Sequence, residues 1–231
     1  DTNGPVQMFS TSGTFLGFFG QGGATGSALD GAGHVFTVAP NFGANQIKRY
    51  DAVGNLLNSF TAAVGGNWIE DMAMGAGNTI WAGTYEGNIF KIDATTGATI
   101  SSFNVANSSF TGVAFDGTNL WATEGVNGSD AIYKYDALGN PISTIHTGQM
   151  NGGLGYDRDT NTLWAGGWGI VSQFDLSGNW LSSFNTGSSN YHDGLEIGNV
   201  SNNVPDGGTT AVLLGSALLG LAALRRKFSR A

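Results

Sequence analysis

The strongest constraint on this chain is internal repetition. Four segments align over residues 24–187. The clearest reads "LWATEGVNGSDAIYKYDALGNPISTIHTG"; its partners are "VFTVAPNFGANQIKRYDAVGNLLNSFTAA", "IWAGTYEGNIFKIDATTGATISSFNVA" and "LWAGGWGIVSQFDLSGNWLSSFNTG". Their shared aspartates, Asp51, Asp93, Asp136 and Asp175, lie 42, 43 and 39 residues apart. A half-unit, "VQMFSTSGTFLGFFG", precedes the set and another, "YHDGLEIG", follows it. A period near 40 residues marks units that cannot bury their own faces and must stack on one another.

Each unit holds four short runs of strand character, in the third unit "TGVAFD", "LWAT", "AIYKYD" and "PISTI". The last two are joined by "DALG", which recurs as "DAVG" and "DLSG" and, one residue longer, as "DATTG". Asp at the first turn position accepts backbone N–H bonds, and Gly at the fourth tolerates positive φ. No helical period is evident in residues 1–203. Four strands per 40-residue unit predicts an all-β fold, a β-propeller of about five four-stranded blades, with residues 191–197 and 6–19 combining in one split blade. Blades packed face to face explain third strands that are apolar in both phases, as where Ile132 stands beside Tyr133 and Tyr135. Trp81, Trp121 and Trp164 share one repeat position, with Phe36 in the fourth slot. Packing between blades is the simplest role for these rings; stacking on a ligand is the alternative. The 38 glycines suit the many tight turns such a fold requires.

The opening stretch "DTNGPVQMFSTSGTFLGFFG" resembles an NHL-type propeller repeat, in which a second strand ends in Ala-Asp-Thr and a third reads roughly Arg-Val-Gln-Val-Phe. The resemblance implies that Asp1 follows directly on a second strand that is missing, so the sequence is expected to lack at least one strand and a leader. Residues 1–203 are assigned to the propeller and residues 204–231 to a separate tail.

That tail differs sharply from the body. Residues 1–205 carry 16 Asp/Glu against 5 Lys/Arg, whereas residues 206–231 carry one Asp against four Lys/Arg. An acidic body repels phosphates and argues against a nucleic-acid partner. With no cysteine, thiol catalysis, thiolate metal sites and disulfides are excluded. Residues 207–224 are uncharged and would span about 27 Å as a helix, just short of a bilayer's hydrocarbon core. Arg225, Arg226 and Lys227 follow at once and would hold that end on the cytoplasmic side. A helix is expected over Thr210–Leu224, making few contacts with the propeller. A buried terminal helix and a permanent anchor are the alternatives. "VPDGGTTAVLLGSALLGLAALRRK" resembles the PEP-CTERM class of bacterial sorting signals in its Val-Pro-Asp variant, through Val204, Pro205, Asp206 and Gly207 and the basic cluster Arg225, Arg226 and Lys227. The resemblance implies export, transient inner-membrane anchoring and cleavage near Pro205–Asp206 by an exosortase-type peptidase. The body would then reach the cell surface or medium, in bacteria that typically make exopolysaccharide.

Chemistry is written more faintly. No G-x-S-x-G, H-E-x-x-H, EF-hand loop or P-loop occurs. Propeller ligand sites lie near the channel where first strands begin. There the alignment stacks Thr25, Glu70, Thr111, Gly152 and Asp193, so Glu70, Asp71, Asn151, His192 and Asp193 are expected at the channel mouth. Carboxylates with an amide oxygen suit Ca2+, and an added imidazole suits another divalent cation; a water-filled mouth needs polar residues in any case. Two functions stay open. One is a surface or matrix propeller that binds exopolysaccharide or a surface protein. The other is a secreted metal-dependent hydrolase or lyase of the lactonase-like propeller type.

Overall fold

A computed structural model describes residues 6–19, 23–41, 44–105, 109–124 and 129–198, and every regular element among them is a β-strand. β1 (Val6–Phe9) and β2 (Phe15–Phe19) form a two-stranded sheet. β3 (Gly26–Leu29), β4 (Val35–Asn41), β5 (Ala44–Tyr50) and β6 (Leu56–Thr61) form the first four-stranded antiparallel sheet. β7 (Ile69–Gly75), β8 (Thr79–Thr84), β9 (Asn88–Asp93) and β10 (Thr99–Asn104) form the second. β11 (Gly112–Phe115), β12 (Leu120–Thr123), β13 (Ala131–Tyr135) and β14 (Pro141–His146) form the third. β15 (Leu154–Asp157), β16 (Thr162–Gly166), β17 (Ile170–Phe174) and β18 (Trp180–Asn185) form the fourth. Each sheet is a meander, and the first strands adjoin one another, β7 lying against β3 and β11, and β11 against β15. The sheets are therefore propeller blades whose first strands surround the axis.

Among the described residues the expected number of about five four-stranded blades is corrected to four. The split unit contributes only the β1–β2 hairpin. Residues 192–197 have no second strand beside them, so they form no ladder; the nearest pairing is a single bridge, Trp168 to Tyr191.

Burial follows strand position. The second strands β8, β12 and β16 are buried at every residue, whereas the fourth strands are mostly exposed. The core lies between blades, as both faces of an inner sheet must be covered. Phe36, Val38 and Ile47 of the first blade meet Ile69, Met72 and Ile80 of the second. Trp81 and Ile89 meet Val113 and Leu120 of the third, and Trp121 and Ile132 meet Leu154 and Leu163 of the fourth. The repeated tryptophans are thus packing residues.

The Asp-x-x-Gly turns form as expected. Asp136 Oδ1 accepts from the N–H groups of Leu138 (2.8 Å) and Asn140 (2.9 Å), and Gly139 has φ 89°. Asp51 and Asp175 repeat the arrangement with Gly54 and Gly178, both at positive φ. In the β1–β2 hairpin Ser10 takes the aspartate's place, accepting from Thr14 N–H at 3.0 Å. Each turn glycine faces the outer strand of the preceding unit. Gly97 abuts Thr61, Gly139 abuts Phe103, Gly178 abuts Ile145, Gly13 abuts Phe184 and Gly54 faces Phe19.

Candidate functional site

The start of each first strand faces the axis, where backbones crowd too closely for side chains. A Cβ on Gly26 would lie 2.6 Å from Asp71 Cα, one on Gly153 would lie 2.6 Å from Leu195 N, and one on Gly194 would lie 2.7 Å from Gly26 Cα. Gly112 and Gly152 are crowded in the same way, by Gly152 and His192. Only Gly fits such an approach. In the repeat, the position of Gly26, Gly112, Gly153 and Gly194 is taken in the second blade by Asp71.

That carboxyl is fully buried. Its Oδ2 accepts from the N–H groups of Val113 (3.1 Å) and Leu154 (3.3 Å), which belong to the next two blades. Oδ1 has no hydrogen-bond partner among the described residues and faces Gly194. Burial pushes the Asp71 pKa well above the ordinary range, and the charge of Glu196 adds to this. Asp71 is therefore a strut that joins inner strands across the axis.

Of the other expected mouth residues, Glu70 stands on a β-bulge, where the register shifts between Ile69 and Asp71. A bulge re-aims its side chain. Burial, with the nearby charges of Asp193 and Glu86, raises the Glu70 pKa to about 7. The Asp193 pKa is raised by burial. Asn151 is buried elsewhere: its Nδ2 donates to Asp130 O (3.1 Å) and Thr147 Oγ1 (2.9 Å). Burial lowers the His192 pKa, and its Nε2 lies 3.0 Å from Thr186 Oγ1. Among the described residues no three Asp, Glu or His side chains are arranged to hold a metal ion. Backbone donors take Asp71 Oδ2, and Asn151 Nδ2 is turned to a loop.

Another opening lies at the opposite end of the axis. A cavity of about 570 Å³ is lined by the ends of the first strands and by Glu196–Gly198. Glu196 stands where the other repeats carry Ala28, Ala73, Ala114 and Gly155, all small and axial. Its Oε1 accepts from Ile197 N–H at 3.0 Å, and burial raises its pKa to about 8. Around it stand Phe115, Tyr156, Asp157 and the exposed guanidinium of Arg158, whose charge acts on Glu196. Sequence considerations covered only the strand starts and did not single out this end. The legible signal was the lone carboxylate of "LEIG" in a column of Ala and Gly.

The tail residues Val204, Pro205, Asp206, Gly207, Arg225, Arg226 and Lys227, and the helix expected over Thr210–Leu224, lie outside the described residues. Among the described residues no helix is long and apolar enough to cross a membrane. Residues 203–228 match the family model of the VPDSG-CTERM motif. No curated protein matches the chain in sequence. Similar solved structures include the glutaminyl cyclase of Myxococcus xanthus, with TM-score 0.58, 14% identity and 70% of each chain covered. A chain of a mitotic checkpoint complex aligns with TM-score 0.51 and 14% identity, over 73% of this chain and 51% of that one. At such identity both likenesses concern the fold alone. The VPDSG-CTERM match is consistent with an exported protein that passes through the membrane. This chain is a β-propeller body carrying, at its C-terminus, a PEP-CTERM-type sorting signal of the VPDSG-CTERM kind.

Proposed function

We propose that the protein is an exported binding module that holds a neutral, hydroxyl-rich ligand such as an exopolysaccharide chain in the axial cavity beside Glu196. The single observation that carries this reading is Glu196 itself. A carboxyl that keeps its proton to about pH 8 both donates and accepts hydrogen bonds, as a sugar hydroxyl does. It replaces a small residue at the floor of a cavity of about 570 Å³, with Tyr156 and Phe115 as apolar wall and Arg158 as an exposed donor. The backbone N–H groups of Ile197 and Leu29 already engage the carboxyl oxygens, so what a ligand hydroxyl would take up is the carboxyl's own proton.

The test is calorimetric titration of the purified body with oligosaccharides cut from bacterial exopolysaccharide. Binding is expected, and Glu196→Ala, which restores the residue of the other repeats, is expected to weaken it at least tenfold while leaving the fold intact. Unchanged affinity in a folded Glu196→Ala protein would overturn the assignment. The C-terminal motif supports the rest of the reading: transient inner-membrane anchoring, cleavage near Pro205–Asp206 by an exosortase-type peptidase, and delivery of the body to the cell surface.

A further inference from the structure

The cavity beside Glu196 is a well with a continuous wall. The wall comes from every inner strand in turn: residues 29–32 of the first blade, 73–75 of the second, Phe115 of the third, 156–159 of the fourth and 196–198 of the axial segment. A cleft has two open ends, and a polymer can lie across it. A wall that runs all the way round admits a chain only end-on.

The repeat explains the wall. One position beyond the small axial residues, each unit places an apolar side chain: Leu29, Met74, Phe115, Tyr156 and Ile197. All five are half-buried and all line the cavity, so they form an apolar collar inside its mouth. Polar groups of Asp30, Asn78 and Arg158 line the same cavity.

The inner end of the well is sealed. The carboxyl of Asp71 lies between the third and fourth inner strands, whose Val113 and Leu154 N–H groups it accepts, and Gly194 of the axial segment. Asp71 is 0% exposed, and Gly26, Gly112 and Gly153, at the same repeat position, are buried too. A water-wide passage along the axis would run past these groups and leave them wet. A second cavity that Glu196 also lines holds about 130 Å³, below the roughly 300–1,000 Å³ of ligand pockets. It gives a chain no way onward.

We propose, resting on the assignment of glycan binding to Glu196, that this well takes the terminal sugars of a polysaccharide chain and excludes its internal stretches. A cavity of about 570 Å³ suits a drug-sized molecule, and a chain end is the part of a polymer that presents one. The terminal sugar enters with its hydroxyls on Glu196 and its apolar faces against Phe115 and Tyr156. The sugars behind it leave through the collar, past Asn78 and Arg158, into solvent. The protein therefore holds polysaccharide by its ends, and the number of sites on a strand does not grow with its length.

The experiment titrates the full chain, in detergent, with exopolysaccharide from the bacterium that makes it. The polysaccharide is partially hydrolysed, separated into fractions of increasing chain length and dosed by mass. The protein bound per gram at saturation is expected to fall in inverse proportion to chain length. Affinity per chain end should stop rising once the chain outgrows the cavity. Capacity per gram that stays constant across the long fractions would mean binding along the chain, and would overturn end recognition while leaving the reading of Glu196 intact. Failure of every fraction to bind would overturn both.

Discussion

Asp71 shows how one residue can serve a whole ring. Inner strands present N–H groups to the axis that no neighbouring strand can take, and Asp71 Oδ2 accepts two of them, from Val113 and Leu154. Asp71→Ala would strand both donors, each costing on the order of 1–3 kcal/mol when buried unpaired. Part of this is offset by removing a buried carboxyl, so a loss of about 2 kcal/mol is expected in urea unfolding. Asp71→Asn keeps an acceptor of the same shape and should stay within about 1 kcal/mol of the parent. The axial carboxyls also set a pH dependence. Glu70 is raised from 4.5 to about 7 and Glu196 from 4.5 to about 8, chiefly by burial, and Asp71 and Asp193 are raised as well. Each binds its proton more tightly folded than unfolded, so its contribution is full at low pH and is lost as pH rises through the folded pKa. The turn aspartates act oppositely: hydrogen bonds from Asn55, Asn140 and Asn179 hold Asp51, Asp136 and Asp175 below 3.8, and that stability disappears in acid. Thermal unfolding should therefore show its highest Tm near pH 4–5 and decline steadily to about pH 8. Glu196→Gln should flatten the upper part of that decline.

The Asp-x-x-Gly hairpin is the element that makes the repeat work, since its glycine is both turn residue and contact surface. Gly139 has φ 89°, and a Cβ there would run into the ring of Phe103 on the preceding blade. Gly117 has φ 99° with open space around it. Gly117→Ala meets backbone strain alone, about 1–2 kcal/mol. Gly139→Ala meets that strain and a clash with a packed ring, for a total of roughly 2–4 kcal/mol. Chemical denaturation of the two variants separates the contributions. A further device recurs on the third strands: Arg49, Lys91 and Lys134 lie over Phe36, Trp81 and Trp121 at 5.5, 5.3 and 4.5 Å, shielding the outer side of each ring.

For the whole molecule, body and tail pose separate physical problems. The body is acidic and strand-built; the tail brings 18 uncharged residues against a basic stop. So apolar a stretch is sticky in water unless lipid receives it or a peptidase removes it. In a host with the matching sortase, the mature protein is expected to end near Pro205. Replacing Arg225 and Arg226 by Ala is expected to leave residues 206–231 attached, as intact-mass measurement of shed protein will show. A shed wild-type protein that retains residues 206–231 would leave the tail as a plain anchor.

Spacing alone determined the architecture of this protein. Aspartates 39–43 residues apart, strand-length runs between them and a glycine three or four positions on leave little but a propeller blade, because a blade is built from local contacts whose periods are written in the chain. The sorting tail was equally legible, since its parts are contiguous. Tertiary structure decided what local spacing cannot carry. Glu70, Asp71, Asn151, His192 and Asp193 were aligned by repeat position, but orientation depends on a bulge at Glu70 and on the donors that engage Asp71 and Asn151. The number of complete blades depended on whether two distant half-units meet with a second strand between them. The two ends of the axis differ through backbone crowding and cavity lining: glycines crowd the strand starts, while the strand ends and Glu196 line a cavity of about 570 Å³.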